Sequence, residues 1–551
     1  MVISPSGSSY ALSLANNSVI VLSTAELEAK TNIVGIQSRR MDTKHLVVSK
    51  NILLTDSMLA VPIAVDPKNA QQVLCAVPSS QPRQGSEVMH PSPYLQTFDF
   101  ADQRPIARQA LTRNNATDPN QGPGGKRILE PDVHLLQISH DGKYLATVDE
   151  WLPPLIDMNY IDEGEKDALE EERLRRREVH LKIWMWDEER TQWALETRID
   201  APHFLEDASG NGRVLDMVVN PKDHGFATIG EDHVVRVWTP KTKSISGVVR
   251  RGASEEGTVT WTLHRSITLP DPSKTWLSDV GNGPTRARTL RLAYSADGSI
   301  LAAGVSGASN ADPGLIHLID IHSATIRRSM TEIDTTVLCG LGIVGHFLVA
   351  VTECITVWDI VSDNLVYCAS IETPGFDAIA RMSVVRLAIN EASGTFAVSL
   401  PQVEKVSTSE VRRVSSELAV YDTNHGSALW SSSVGGITLG LAAQKGNGYV
   451  TLDSDSCIRT ISPVAGTIGL PAPQLAQDDM ESAVEEEVIE EDMAETRLEL
   501  EDTLLENEYD RPVVTQQDLE EIFHNESAPK APQDVFSAVL RLFGGAVKAA
   551  A

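Results

Sequence analysis

The sequence contains few cysteines, and their spacing excludes the common sites that cysteine builds. No two of them form the C-x-x-C pair that is typical of zinc and redox sites. An odd number of cysteines in a chain of 551 residues fits a reducing compartment, where thiols act as small core residues. The five are Cys75, Cys339, Cys354, Cys368 and Cys457.

Long apolar runs are also missing. A membrane-spanning helix needs about 20 consecutive apolar residues, and no uninterrupted run of about 18 occurs. The N-terminal stretch MVISPSGSSYALSL has neither a basic segment nor a long apolar core, so it does not have the pattern of a secretory signal. The sequence therefore predicts neither a signal peptide nor a membrane-spanning helix.

Positive charge is scarce. Lys and Arg number 47 against 76 Asp and Glu, and the net charge is −29. Such a field repels nucleic-acid phosphates unless basic residues are clustered. The stretch EGEKDALEEERLRRRE holds the densest basic cluster, and its Glu-to-Arg spacing predicts a surface helix. The cluster is either a solvated helix face or a contact for RNA phosphate or an acidic partner. Its members are Arg173, Arg175, Arg176 and Arg177.

Catalytic and phosphate-binding motifs are missing as well. The segment Gly122-Pro-Gly-Gly-Lys-Arg127 is too short between its first Gly and Lys for a phosphate loop, and Arg follows the Lys in place of Ser or Thr. Neither H-E-x-x-H nor G-x-S-x-G occurs. Several histidines lie in or beside turns, where hydrogen bonding within the turn is expected and a metal site is the minor alternative: His140, His224, His233, His317 and His346. We expect no enzymatic activity, no catalytic residue, no metal and no cofactor.

A repeat is what the sequence does contain. The stretch from Arg213 to Thr242 predicts three short strands, Val214 to Val219, Phe226 to Ile229 and Val234 to Trp238, separated by turns rich in Pro, Gly, Asn and Asp. This is the core of one WD-type propeller blade. A similar order of turn, apolar strand, and strand with a bulky or acidic end recurs through most of the chain. The positions predicted to be structural within blades are Trp186, Asp187, Trp238, Trp358 and Asp359.

The repeats predict an all-β fold. One four-stranded blade cannot bury both of its faces alone, so blades stack radially around a ring. Eight blade-like units can be counted, and the seven within residues 61–466 would close a propeller. Residues 1–60 then form a separate blade-like unit, a remnant of a preceding propeller. A single eight-bladed ring is the alternative.

The composition changes after the last repeat. Residues 467–514 form an acidic linker, disordered or helical, with 16 acidic residues and one basic residue between Asp478 and Asp510. Residues 515–551 predict short helices, one of which carries an apolar stripe that docks either onto a partner or onto this chain. The stripe consists of Phe536, Val539, Leu540 and Phe543.

Four segments together resemble one family of WD-repeat proteins: ISPSGSSYALSLANNSVIVLSTAEL, LQISHDGKYLATVDEWLPP, EVHLKIWMWD and HGFATIGEDHVVRVW. They are similar to the family of WD repeat-containing protein 75, whose fungal members are called U3 small nucleolar RNA-associated protein 17. The likeness runs to about Gly466 and is sharpest over 130–240. Such proteins have two tandem propellers and a helical C-terminal region. This sequence begins within what would be the end of the first propeller, as a truncated gene model or a fragment would.

The resemblance implies a nucleolar, non-enzymatic scaffold. Family members belong to the small-subunit processome, which matures 18S rRNA, and are linked to RNA polymerase I transcription. The implied partners are other processome subunits and, through the assembly, the 5′ external transcribed spacer of pre-rRNA and U3 small nucleolar RNA; no membrane and no small-molecule substrate is implied. The alternative is another intracellular WD-repeat adaptor, such as a ubiquitin-ligase substrate receptor or a trafficking scaffold.

Overall fold

A computed structural model of the protein describes residues 1–14, 17–36, 60–78, 93–112, 130–154, 158, 166–205, 210–242, 244–245, 248–249, 259–270, 289–306, 314–373, 381, 384–405, 412–446, 448–461 and 468–469. Met1–Leu470 is one compact unit. The predicted apolar stripe at Phe536, Val539, Leu540 and Phe543 and the predicted C-terminal helices lie outside the described residues. So does the predicted linker 467–514, except for Ile468–Gly469, which form a strand and not a linker.

The first half of the described chain is built from short antiparallel strands. The N-terminal sheet contains β1 (Val2–Ile3), β2 (Ser9–Ser13), β3 (Ser18–Ser23) and β4 (Ala29–Val34). Blade 1 contains β5 (Ile63–Val65), β6 (Gln72–Pro78), β7 (Pro93–Asp99) and β8 (Arg104–Ala110). Blade 2 contains β9 (Asp132–Ile138), β10 (Tyr144–Trp151), β11 (Glu178–Asp187) and β12 (Gln192–Asp200), with helix α1 (Lys166–Arg175) between its second and third strands.

The second half continues the pattern. A ribbon of β13 (His203–Leu205) and β14 (Gly210–Gly212) leads into blade 3. Blade 3 contains β15 (Val214–Val219), β16 (Phe226–Gly230), β17 (Val234–Thr242) and β20 (Val259–Thr268). A second ribbon, β18 (Ser244–Ile245) and β19 (Val248–Val249), lies between β17 and β20 in the chain. Blade 4 contains β21 (Leu290–Tyr294), β22 (Ile300–Val305), β23 (Leu315–Asp320) and β24 (Thr325–Met330). Blade 5 contains β25 (Gly340–Val344), β26 (Phe347–Val351), β27 (Cys354–Asp359) and β28 (Asn364–Ser370). Blade 6 contains β29 (Arg386–Asn390), β30 (Thr395–Lys405), β31 (Arg412–Asp422) and β32 (Trp430–Val434). Blade 7 contains β33 (Thr438–Gln444), β34 (Gly448–Asp453), β35 (Ile458–Ile461) and β36 (Ile468–Gly469).

The first strands of the seven blades surround a central channel. In order, β5, β9, β15, β21, β25, β29 and β33 each contact the next, and β33 contacts β5 to complete the cycle. Each blade is an antiparallel sheet whose four strands follow chain order from the channel outward. The predicted fold class, an all-β WD-repeat propeller, is confirmed, and within the described residues the ring has seven blades.

Burial explains why these segments form strands. The second strand of blade 4, β22, is buried on both faces and therefore appears as a continuous apolar run, ILAAGV. The fourth strand of blade 4 alternates between exposed and half-buried positions, as an edge strand does. Cys75 and Cys339 are buried in the core as predicted, and burial raises the pKa of both thiols to about 12. Cys354 and Cys457 are only half-buried, and Cys368 is exposed, so the prediction of a core position is wrong for Cys368. Among the described helices, none is long and apolar enough to cross a membrane.

Acidic residues at the ends of the third strands terminate those strands. Asp99 Oδ1 accepts hydrogen bonds from the amides of Ala101 and Asp102 at 2.9 and 3.1 Å, and Asp359 Oδ1 accepts from Val361 and Ser362 at the same distances. A carboxylate that bonds its own backbone in this way stabilises a tight turn. Asp187 and Asp422 make the same pair of bonds.

Two long connections within blades have regular structure in their described residues. The surface helix predicted from EGEKDALEEERLRRRE is present as α1, which follows β10 after Trp151. In blade 6, β30 and β31 form a long hairpin and stay paired as far as Lys405 and Arg412.

The N-terminal sheet lies outside the ring and is anchored at the ring's seam. Ile36, two residues past β4, is 2% exposed and packs with Val73 and Cys75 of blade 1 and Val450 of blade 7. Asn17 Nδ2 donates to the carbonyls of Ile36 and Ser456 at 3.0 and 3.3 Å. One apolar side chain thus joins the sheet to the place where the ring closes.

The seam contact predicts unequal effects of two isoleucine truncations. Because Ile36 is buried in the seam, I36A should lower the free energy of unfolding by about 2 to 5 kcal/mol. I33A is the matched control, since Ile33 lies in the same sheet but is 50% exposed. Urea unfolding followed by tryptophan fluorescence measures both. Equal losses for the two variants would show that Ile36 does not support the seam.

Candidate interaction surfaces

A buried polar network holds together blade 3. His203 Nδ1 lies 2.8 Å from Asp232 Oδ1, and His203 Nε2 lies 2.9 Å from Thr228 Oγ1. Trp238 Nε1 donates to the same hydroxyl at 2.9 Å. The four residues come from β13, β16, β17 and the turn between the last two. The network therefore connects the ribbon that precedes blade 3 to the second and third strands of that blade.

This network is structural. The order Asp–His–Thr matches that of a catalytic triad, but Thr228 is fully buried and its hydroxyl also accepts the Trp238 bond. Burial lowers the pKa of His203, against the influence of Asp232, so its neutral form is favoured. Gly230 makes room for the ring, because a Cβ there would clash with His203.

Blade 2 repeats part of the arrangement. Trp184 Nε1 donates to Thr147 Oγ1 at 2.9 Å, and a strand bulge precedes Trp184 just as one precedes Trp238 and Trp358. Trp184 therefore occupies the buried position that Trp238 fills in blade 3. Trp186, predicted as a structural blade position, is half-buried and packs edge-on against Trp193 with 5.2 Å between ring centroids.

The remaining predicted blade positions lie at the outer turns. Trp358 Nε1 donates to Asp363 at 3.1 Å, while Asp359 and Asp187 hold the turns described above. Asp359 has a lowered pKa because it accepts bonds from Ser362 and neighbouring backbone amides.

One predicted member of the basic cluster is buried. Arg177 is 4% exposed and bonds Glu231, with Glu150 3.6 Å away. It also donates to the Asn211 carbonyl from two of its nitrogens. The expectation that Arg177 contacts RNA or an acidic partner is thereby corrected, because its charge is used between blades 2 and 3.

Glu150 is the centre of this charge network. Burial alone would raise its pKa, but the His134 ring, with Nε2 3.1 Å from Glu150 Oε2, and the charges of Arg213 and Arg177 hold that pKa at about 2. Arg213 Nε lies 3.0 Å from the same carboxylate. A buried carboxylate among several cations stays ionised, so the network is a fixed charge cluster at the junction of the two blades.

The other predicted arginines stay nearer the surface. Arg173 donates a hydrogen bond to the Pro153 carbonyl at 3.0 Å, which connects α1 to the segment that follows β10. Arg175 and Arg176 are 64% and 50% exposed, and both pair with Glu172. Exposed helical pairs of this kind contribute only a few tenths of a kcal/mol. Arg175 and Arg176 are therefore the two most exposed of the four predicted contact residues.

The central channel contains a cavity of about 380 Å³ lined by the first strands of all seven blades. Asp216 of β15 lines the cavity and accepts a 2.7 Å hydrogen bond from the Leu292 amide of β21. Burial raises the pKa of Asp216, although the charge of Arg291 opposes the shift. Arg291 Nε donates to the Cys339 carbonyl at 3.1 Å, so these polar groups join neighbouring blades across the channel wall.

The turn histidines separate into different environments. His140 and His224 stack with 5.4 Å between ring centroids, whereas His346 lies 3.9 Å from Asp359. His317, predicted to lie in a turn or strand, is fully buried in β23 and bonds Ser329 Oγ at 2.8 Å. Burial lowers the pKa of His317 to about 4.

Sequence reasoning missed His203 and Thr228 as network residues. The signal available was a hydroxyl residue on a second strand followed by Asp in the turn and Trp in the third strand, as at Thr228, Asp232 and Trp238. His203 lies 25 residues before Thr228, in a ribbon that strand periodicity does not predict.

The comparisons with known proteins agree with the predicted resemblance. The chain is similar to U3 small nucleolar RNA-associated protein 17 of Schizosaccharomyces pombe, with 27% identity over 237 residues, 42% of this chain and 26% of the relative. The chain thus matches about a quarter of the relative's length, and the similarity confirms the family resemblance. No protein-family model matches the chain.

Two solved structures are similar at 12% identity and a TM-score of 0.40. One is a chain of the mitotic checkpoint complex, with 74% of this chain and 90% of that chain covered. The other is the β-propeller domain of Cps50 (Swd1) from Myceliophteria thermophila, with 73% and 95% covered.

The blade 3 network predicts different losses for two isosteric changes. T228V leaves both His203 Nε2 and Trp238 Nε1 without their partner, at a cost of about 1 to 3 kcal/mol for each group. T147V removes the partner of Trp184 alone and should cost about half as much. Urea unfolding of the two variants measures the difference. A T228V loss no larger than that of T147V would contradict the shared-hydroxyl geometry.

His317 predicts a loss of stability in acid. Above its ordinary pKa of 6.5 the ring is neutral in both states; as the pH falls from 6.5 to about 4, the unfolded chain takes up the proton first and the folded state is disfavoured. The loss approaches about 3 kcal/mol. Unfolding free energies from pH 7 to pH 4 should therefore fall less in H317N than in the wild type. S329A, which removes the hydrogen-bond partner and no titrating group, should keep the wild-type slope; a parallel profile for H317N would refute the prediction.

Proposed function

We propose that this chain is a non-enzymatic scaffold subunit of the small-subunit processome, acting in pre-18S rRNA processing and in biogenesis of the small ribosomal subunit, with a link to RNA polymerase I transcription. The similarity to a U3 small nucleolar RNA-associated protein carries the proposal. A nucleolar location follows from it, as do partners among the other processome subunits, the 5′ external transcribed spacer and U3 small nucleolar RNA.

The geometry supports a scaffold. The seven blades form a closed ring with large faces, and several polar groups that could have served chemistry bond one another inside it. Arg177, Arg213 and Arg291 all have partners within the protein. Such a ring offers surfaces for protein contacts while its interior stays rigid.

RNA contact, where it occurs, is local. A chain with a net charge of −29 repels phosphate over most of its surface. Arg175 and Arg176 are exposed in and just after the last turn of α1, and their Glu172 partner can be exchanged for a phosphate because exposed pairs are weak. We assign them as the RNA contact on the propeller.

The test is affinity purification of the tagged full chain from nuclear extract, with identification of proteins and cross-linked RNA. We expect processome subunits and 5′ pre-rRNA. The double variant R175E/R176E should retain the proteins and lose cross-linked RNA several-fold. In vitro, the slope of log affinity for spacer RNA against log salt concentration should decrease in magnitude by about two. R104E/R190E is the matched control, since those arginines are 71% and 74% exposed elsewhere on the propeller.

The outcomes separate the hypotheses. Recovery of a ubiquitin ligase or of trafficking proteins in place of processome subunits would favour the other class of WD-repeat adaptor. Recovery of processome subunits with equal RNA loss in both double variants would reject Arg175 and Arg176 as the specific contact, because general charge would then explain the effect.

A further inference from the structure

Blades 2 and 3, which are neighbours, bring three metal-ligating side chains together. The side chains lie on the face of the ring where the first strands of these blades end. His140 and Asp141 lie in the turn between β9 and β10, and His224 lies in the equivalent turn between β15 and β16. One donor atom from each of the three lies within 4.8 Å of the other two. His224 is 84 positions from His140 and 83 from Asp141, on the other side of α1 and β11, so only the ring places it beside them.

The distance between two of the three donor atoms already suits the binding of a single zinc ion. His224 Nε2 lies 3.7 Å from Asp141 Oδ2, too far for a hydrogen bond. Two ligands that each lie about 2.0 to 2.2 Å from a zinc ion are about 3 to 4 Å apart. His140 is exposed, so its ring can rotate to close the remaining distance.

The carboxylate is held in position by other contacts. Asp141 Oδ1 accepts from Ser139 Oγ at 2.6 Å and from the Lys143 amide at 3.1 Å, which leaves Oδ2 directed at His224. Tyr144 packs edge-on against the His224 ring with 5.4 Å between centroids. Ligands oriented in this way by outer contacts are a regular feature of metal sites.

Blade 4 contains the same turn without the histidines. Ser295-Ala-Asp-Gly298 corresponds to Ser139-His-Asp-Gly142, and Ser295 Oγ bonds Asp297 as Ser139 bonds Asp141, at 2.5 Å. There Oδ2 of Asp297 accepts from Ser299 Oγ at 2.7 Å. The turn carboxylate is thus a common structural element, and the two histidines are what distinguish the junction of blades 2 and 3.

We propose that His140, Asp141 and His224 bind a divalent transition-metal ion, Zn²⁺ in the first instance. Two imidazole nitrogens and one carboxylate oxygen suit zinc and leave its fourth position for water, whereas Mg²⁺ and Ca²⁺ prefer oxygen ligands alone. Because the ligands come from two blades, the bound ion links those blades on this face of the ring.

The test is calorimetric titration of the tag-free full chain with ZnCl₂. We expect one zinc ion per chain, unaffected by excess Mg²⁺, and a rise in melting temperature. H140A and D141N should each weaken zinc binding at least about tenfold and remove the rise, since outer contacts alone are worth that much. D297N is the matched control, because it alters the equivalent turn carboxylate where no histidine is present. Co²⁺ absorption in the wild type should show nitrogen and oxygen ligation.

The outcomes are decisive for the site. Absence of zinc binding, or equal affinity in H140A and the wild type, would overturn the proposal. Equal weakening by D141N and D297N would also overturn it, since a general effect on turns would then be responsible. H140A tests the site even if a variant of the third ligand, H224A, fails to fold, because His140 is exposed and its side chain is not part of the core.

Discussion

The structure depends on the need of each blade to bury both faces of its sheet. A second strand such as β22, apolar and buried along its length, cannot exist in an isolated four-stranded sheet. Seven blades satisfy this requirement by contacting one another in a cycle, and closure occurs where blade 7 meets blade 1. At that place the Val61 amide donates to the Leu439 carbonyl at 3.0 Å, and Ile36 fills the apolar seam.

Polar groups reinforce the same contacts. The Glu150 network joins blades 2 and 3, and the Leu292 amide bond to Asp216 joins blades 3 and 4. A buried ionised group is tolerated only with partners, so removing one partner is costly even where the whole pair contributes little net stability. The charges that sequence reasoning assigns to a surface can therefore be used inside the ring, as that of Arg177 is.

Much of the fold could be predicted because its signals are local. Turn residues such as Asp359 bond the backbone two and three positions away, and strand runs such as Phe226 to Ile229 carry their own periodicity. The candidate sites were less predictable because their contacts are distant in sequence. Arg177 meets Glu231 across 54 residues. Trp184 and not Trp186 takes the buried position, because Trp184 pairs with Leu145 as Trp238 pairs with Phe226.

The N-terminal sheet shows what the same sequence pattern yields without the ring. Its central residues Val19 to Leu22 are as apolar as those of any blade, yet all are only half-buried. In the ring, the equivalent third strand of blade 4, β23, is buried from Ile316 to Ile319 because a neighbouring blade covers each face. The pattern of a blade therefore specifies its strands and turns, while burial, and with it most of the stability, comes from the neighbours. The N-terminal sheet therefore needs Ile36 as an anchor, because the faces of the sheet do not supply the apolar contacts that Ile36 makes at the seam of the ring.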